Sequence, residues 1–156
     1  MHNLVKWLIG FVVVIVIILL LSGMYFFHVA QVRNPKSNQP DILRSKDNSL
    51  YRYENTFLAR HKQIWHETTR DGLKLDAWYV PADKKTNKTA ILAHGWHNNK
   101  TTMAIYGELF HELGYNVLIP DNRAHGDSQG KIIGYGWLDR RDYIQWLNQI
   151  IKYQGQ

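Results

Sequence analysis

Leu8 to Phe27 reads LIGFVVVIVIILLLSGMYFF, twenty residues without a charge, and no other feature of the chain restricts its fold as much. As a helix rising about 1.5 Å per residue, this stretch crosses a hydrocarbon layer about 30 Å thick. A cleaved signal peptide is the rival reading, but its apolar core runs to only about 7 to 15 residues and closes on small side chains. Tyr25, Phe26, Phe27 and His28 stand in that place, which favours a retained membrane anchor over residues 1–33. Contact with the lipid bilayer is therefore expected through residues 8–27.

Charge says less about orientation. Lys6 is the only Lys or Arg before the span, whereas Arg33, Lys36, Arg44 and Lys46 follow it. A plain positive-inside count puts the C-terminal part in the cytoplasm. The formal net charge is +6, with Lys and Arg scattered among acids rather than gathered on one face. That pattern suits attraction to an anionic bilayer surface and argues against nucleic acid as a partner. The absence of cysteine excludes disulfides and thiolate metal sites and leaves the compartment open.

Residues 34–63 read as a juxtamembrane linker and a short helix. Asn34, Pro35, Ser37, Asn38 and Pro40 are turn-prone, and Leu50, Tyr53, Phe57 and Leu58 then recur at helical steps. A partly ordered linker is the alternative for this second piece.

Residues 64–156 read as a partial α/β domain. Ile64–Thr68 and Leu73–Val80 flank an Arg70-Asp71-Gly72 turn, a hairpin with Leu73, Leu75, Ala77 and Tyr79 on its one buried face. Ala90–His94 is a short apolar run bounded by Gly95, read as a buried strand. Met103–Leu113 reads as a helix with Ile105, Leu109, Phe110 and Leu113 inward, Thr101 or Thr102 as N-cap and Gly114 as its stop. Asn116–Pro120 is a second buried strand, so strand, helix, strand predicts a parallel pair. After a loop from Asp121 to Gly136, Leu138–Tyr153 reads as a helix with Ile144, Leu147 and Ile151 inward and Asp139 and Asp142 near its positive end. The alternation calls for another parallel strand, expected beyond Gln156.

The segments ILAHGW from Ile91, ELGYNVLIPDNRAHGDSQG from Glu112 and GYGWLDRRDYIQWL from Gly134 carry a resemblance. Over about residues 64–153 the chain is similar to membrane-anchored bacterial α/β-hydrolases of the serine hydrolase superfamily. The resemblance implies an N-terminal transmembrane helix followed by a partial α/β-hydrolase fold: an antiparallel hairpin plus parallel strands with crossover helices. It also implies that His94 and Gly95 shape the oxyanion-hole loop, with the Trp96 backbone N–H as donor to the developing oxyanion. Gly95 carries part of that reading alone, because it permits close backbone approach at the end of a strand where open α/β sheets bind ligands. A plain tight turn is the alternative.

Asp121, Arg123, His125, Gly126 and Ser128 match the family's Asp-x-Arg-x-His-Gly-x-Ser loop, with Ala124 where Gly is frequent. For Asp121, Arg123, His125 and Gly126 the resemblance implies a structural loop. Family members usually face outward, which implies an extracellular C-terminal part and opposes the charge count.

Gly126-Asp127-Ser128-Gln129-Gly130 fits the GxSxG pattern letter by letter. A nucleophile elbow needs a strand running straight into the serine and a helix straight after it, whereas this pentapeptide lies in a loop. The hydrolase order is also Ser, acid, His, and no histidine follows His125. Ser128 is considered and rejected as nucleophile, so no catalytic residue is assigned within the chain. His94, His97, Asp121 and His125 could be drawn as a metal cluster, but the HxxH pair falls in a strand-to-loop turn rather than on one helix face. No metal and no cofactor is expected. Trp137, Tyr143 and Trp146 could form a carbohydrate or acyl platform, but their helical spacing is read as core or membrane-facing packing.

The function these readings imply is the N-terminal part of a membrane-anchored hydrolase of esters or amides. It keeps the oxyanion loop, lacks serine, acid and histidine, and is expected to be inactive alone. A chain supplying the missing half is the expected partner, since Ala90–His94 would otherwise leave an apolar edge open. A non-catalytic membrane protein that binds a partner through its α/β layer is the alternative from another class, and a histidine metallohydrolase comes third.

Overall fold

A computed structural model describes residues 2–33 and 50–155 of the chain. The expected linker over 34–49 lies outside the described residues. Two units result, Met1–Val32 and Arg33–Gln156.

The first unit is one helix, α1 (His2–Gln31), 30 residues with none buried. Its length and apolar composition suffice to cross a membrane.

In the second unit, α2 (Tyr51–Ala59) precedes a hairpin of β1 (Gln63–Thr68) and β2 (Lys74–Val80). β3 (Thr89–Ile91), a 3-10 turn (Lys100–Met103), α3 (Ala104–Glu112), β4 (Asn116–Pro120) and α4 (Asp139–Gln154) follow. The strands lie side by side in the order β1-β2-β4-β3. β2 runs antiparallel to β1 and β4, and β3 runs parallel to β4. The α3 crossover thus joins the parallel pair expected from strand, helix, strand.

Period-2 alternation sends the sheet's side chains into two cores. On one face Trp65, Leu75, Ala77, Tyr79 and Leu118 pack against Trp146 and Ile150 of α4. The Trp65 and Tyr79 rings stack there with centroids 4.2 Å apart. On the other face Val80, Val117 and Ile119 meet Phe57 of α2 and Ala104 of α3. The expected α2 is therefore a packed helix, anchored by Phe57.

Several expectations need correction. β2 is covered on both faces, Asp76 and Val80 being buried as well as Leu75, Ala77 and Tyr79, because α4 packs on one face of the sheet and α2 and α3 on the other. β3 is shorter than Ala90–His94 and only half-buried, since among the described strands it pairs with β4 alone. The Leu92 amide extends that ladder by one bond to the Leu118 carbonyl, at 2.9 Å.

α3 and α4 are turned from the expected faces, although Phe110 of α3 packs, partly buried, against the second core as expected. α3 buries Ala104, Gly107, Glu108 and His111, while Leu109 and Leu113 are exposed. Gly107 leaves the Phe57 ring the space a side chain would need, and Arg60 grips the buried Glu108 through two 2.7 Å hydrogen bonds. On α4 the inward residues are Asp139, Asp142, Trp146 and Ile150, not Ile144, Leu147 and Ile151, a rotation of about 100° or one residue. The cap of the 3-10 turn is Asn99 rather than Thr101 or Thr102: its Oδ1 accepts from the Thr101 amide at 2.9 Å.

Candidate functional site

The C-terminal ends of β3 and β4 open toward the same side, where parallel α/β layers place ligands. A cleft of about 420 Å³ lies there, lined by Ala93, His94, Trp96, Asn122, His125, Ile133, Tyr135, Asp139 and Tyr143 among others. Residues from three segments meet in it: the turn after β3, the loop after β4 and the first two turns of α4.

His94 is buried at the end of β3's extension. Its Nδ1–H donates to the Gly95 carbonyl at 2.8 Å, and Nε2 accepts from the Asn122 amide at 3.0 Å. His125 repeats the arrangement, with Nδ1–H on the Arg123 carbonyl at 2.9 Å and Nε2 accepting from the His97 amide at 3.3 Å. Burial holds both imidazoles below the usual histidine range. Each is thus a neutral pin between loops, its lone pair already engaged by a backbone N–H.

Gly95 and Trp96 form the turn that follows. A Cβ at Gly95 would meet only the Asn98 side chain, at 3.6 Å, so the surrounding space is open. Trp96 is half exposed and stacks on His97 at 3.7 Å between centroids. His97 takes φ of 57°, an uncommon conformation for a residue with a β-carbon.

The loop after β4 is fixed by two charge networks. The Lys100 ammonium stands 2.6 Å from each of Asp76, Asp121 and Asp127, and its backbone N–H adds a 2.7 Å bond to Asp121 Oδ1. Burial alone would lower the Lys100 pKa, but the facing carboxylates, Asp121 first, outweigh it and raise it. Where carboxylates converge among the described residues, a lysine therefore supplies the balancing charge. His94, His97, Asp121 and His125 do not converge as ligands, because the His94 and His125 nitrogens face backbone groups.

In the second network Arg123 makes a bidentate pair with Asp142, both bonds at 2.8 Å, and reaches Asp71 in the hairpin turn at 2.9 Å. These hydrogen bonds raise the Arg123 pKa, with Asp142 the largest contributor, and hold the Asp71 carboxyl at about 2. Loop, helix and hairpin are thereby tied at one guanidinium.

Ser128 is fully buried in the same loop. Its hydroxyl donates to the Asp121 carbonyl at 2.7 Å and accepts from the Asp76 amide at 2.9 Å. Neither a strand before it nor a helix after it forms the elbow that GxSxG would require. The Arg33 guanidinium closes the loop from outside, donating to the Ser128 and Gly126 carbonyls at 2.7 and 2.5 Å.

Tyr143, expected as packing, and Asp139, expected only as an acid near the positive end of α4, line the cleft. The Tyr143 hydroxyl donates to Asn122 Oδ1 at 2.7 Å. Burial, and then the Asp139 carboxylate, raise its pKa and keep it a phenol. Trp146 is core and Trp137 is exposed, so the three aromatic residues have three different environments. The available signal for Asp139 and Asp142 was a pair of acids three residues apart on a helix whose neighbouring stripe is equally apolar.

No family model matches the chain. The uncharacterised Bacillus subtilis (strain 168) protein YqkD is 32% identical over 129 residues, 83% of this chain and 40% of that protein. Among solved structures, the Pyrococcus furiosus esterase Pf2001 superposes with a TM-score of 0.55 at 30% identity, over 64% of this chain and 39% of the esterase. An α/β serine hydrolase homologue from Coxiella burnetii superposes with a TM-score of 0.51 at 20% identity, covering 60% of this chain and 47% of its own. The chain thus spans about two fifths of the length of YqkD and Pf2001.

Proposed function

We propose that this chain, whose Arg33–Gln156 unit has a partial α/β-hydrolase fold, is the carbonyl-binding portion of a membrane-anchored serine hydrolase acting on esters or amides. The observation that carries this reading is the Gly95–Trp96 turn at the β3 end of a 420 Å³ cleft. There the Trp96 backbone N–H would donate to a substrate carbonyl, with His94 and Gly95 shaping the turn. A donor held by a rigid loop stabilises developing negative charge without reorganising, the usual basis of an oxyanion hole.

The 156 residues carry no histidine after His125, and Ser128 is committed to two buried hydrogen bonds. Covalent turnover by these residues alone is therefore not expected. Binding is the activity to measure: with the chain in lipid nanodiscs, N-propylbenzamide should give a saturable shift of the Trp96 main-chain amide resonance. An unmoved Trp96 resonance at saturating ligand would remove the reading.

α1 would anchor the chain in the cell membrane with the Arg33–Gln156 unit outside. Protease added to intact cells should then cleave that unit, and protection would place it inside.

A second reading has its own observation. β3 has no second strand among the described ones, and Leu109, Leu113, Ile144, Leu147 and Ile151 are exposed on α3 and α4, two of the helices that cover the sheet. An open apolar edge of this kind recruits another strand, which favours a second chain completing the sheet. A stable heteromeric complex purified from membranes supports that role; a monodisperse monomer opposes it.

A further inference from the structure

Residues 131–141, which lead into α4, combine aromatic, aliphatic and cationic side chains on one exposed stretch. Trp137 is 71% and Tyr135 57% exposed, and Ile132 and Leu138 are exposed beside them. The exposed charges of the stretch, Lys131, Arg140 and Arg141, are all positive, because Asp139 is buried. The Arg140 guanidinium lies over the Trp137 ring at 3.8 Å, so cation and indole are presented together. The loop between β2 and β3, at the other end of the sheet, exposes Lys84, Lys85 and Lys88 with no large apolar side chain among them.

A second observation says what covers this stretch. The Arg33 amide donates to the Lys131 carbonyl at 2.8 Å, and its guanidinium holds the Ser128 and Gly126 carbonyls. Phe27 closes the uncharged span, and four helical steps to Gln31 followed by two extended ones reach Arg33, about 13 Å of chain at most. Lys131 is thus tied to a residue that covalent continuity keeps close to the headgroup layer bordering the span. Trp and Tyr side chains favour that layer, and Lys and Arg are drawn to its anionic lipids. We infer that residues 131–141 form a second membrane contact, seated in the headgroup layer of an anionic bilayer. The inference rests on α1 as a membrane anchor and goes beyond it. Ile133, Tyr135 and Arg140 also line the 420 Å³ cleft, so the contact brings that cleft to the bilayer surface.

The test uses the full chain in nanodiscs of mixed phosphatidylcholine and phosphatidylglycerol that carry a phospholipid nitroxide at the top of its acyl chain. The indole N–H resonances of Trp137 and of Trp7, in α1, should each lose more than half their intensity relative to discs with the nitroxide reduced. The Asn87 main-chain amide, between β2 and β3, should keep its own. In the double variant Lys131→Gln, Arg141→Gln, both exposed positions, the loss at Trp137 should fall by about half while that at Trp7 stays. A Trp137 signal at full intensity with Trp7 broadened, as when a second copy or another protein covers the stretch, would overturn the contact and leave the anchor standing. Broadening at Asn87 in place of Trp137 would do the same. Broadening at Trp137 with Trp7 untouched would keep the contact and overturn the anchor instead. A Trp137 loss that the double variant leaves unaltered would overturn the assignment to anionic headgroups.

Discussion

The Ser128 hydroxyl donates a 2.7 Å hydrogen bond to the main-chain carbonyl of Asp121, seven residues earlier, and so closes the loop after β4 on itself. It also accepts from the Asp76 amide at 2.9 Å. Ser128→Ala leaves two buried partners unmatched and should cost about 1–3 kcal/mol in urea unfolding. The unaltered chain should not react at Ser128 with a fluorophosphonate; covalent labelling there would reverse its assignment.

Lys100→Met should be among the most damaging single changes outside the hydrophobic core. It leaves the buried Asp121 and Asp76 carboxylates without their cation, and breaking one side of a buried pair costs about 3–5 kcal/mol. Asp127 is largely exposed, so Asp127→Asn should cost less than about 1 kcal/mol. Comparable losses in the two variants, measured by urea midpoints, would show that the network is not centred on Lys100.

Two neighbouring positions in the loop should respond with opposite signs. A Cβ at Gly126 would overlap the Asp121 carboxylate, and φ there is 47°, so Gly126→Ala should destabilise by more than about 2 kcal/mol. Ala124 holds φ of 63°. Ala124→Gly should be neutral or stabilising by up to about 1 kcal/mol, since relief of the left-handed strain outweighs the added freedom of the unfolded chain. Thermal midpoints decide both signs.

The pH dependence should show an unusual acid. Glu67 is buried with neither carboxyl oxygen hydrogen-bonded, and burial pushes its pKa up to about 8. Above the unfolded pKa the unfolded chain releases this proton while the folded chain keeps it. Stability therefore falls as pH rises from about 4.5 to about 8. His94 and His125, held below their ordinary values, act in the opposite sense: their contribution is lost as pH falls below about 6.5. Glu67→Gln isolates the first effect, and should match the unaltered chain at pH 4 and exceed it in urea midpoint at pH 8. No difference at pH 8 would place an ionised, solvated carboxylate at this position.

On α4, Trp146→Ala should cost about 3–5 kcal/mol, because Trp146 is fully buried against the sheet. Ile144→Lys should stay within about 0.5 kcal/mol. The reverse ranking would restore the helix orientation first expected from the sequence.

That orientation shows where sequence reading stops. The apolar run NVLIP and the alternation of Leu75, Ala77 and Tyr79 fix strands with few competitors, so sheet and crossover are legible. On α4, Ile144, Leu147 and Ile151 form as regular a stripe as Asp142, Trp146 and Ile150. The inward face is the one that carries both the core residue Trp146 and the Arg123–Asp142 pair, formed across nineteen residues. α3 turns inward on Glu108 for the same kind of reason, since Arg60, forty-eight residues earlier, supplies its partner.

In the cleft, His94, Gly95, Trp96 and the Asp121–Ser128 loop are legible as motifs, because their spacing is short and contiguous. Lys100, Asp76 and Asp139 are not. Each is a single charge in a polar or mixed stretch, and only the fold brings the first two together. Asp139 reads as an ordinary acid at a helix start, and its place in the cleft wall becomes evident only once that wall is built.

The central claim is that the Trp96 main-chain N–H holds a carbonyl in this cleft. Hydrogen–deuterium exchange of that amide, with and without saturating N-propylbenzamide, tests it most directly. Slower exchange at Trp96, with amides on the far side of the sheet unchanged, is the expected result; exchange at Trp96 that ligand does not alter would contradict the account.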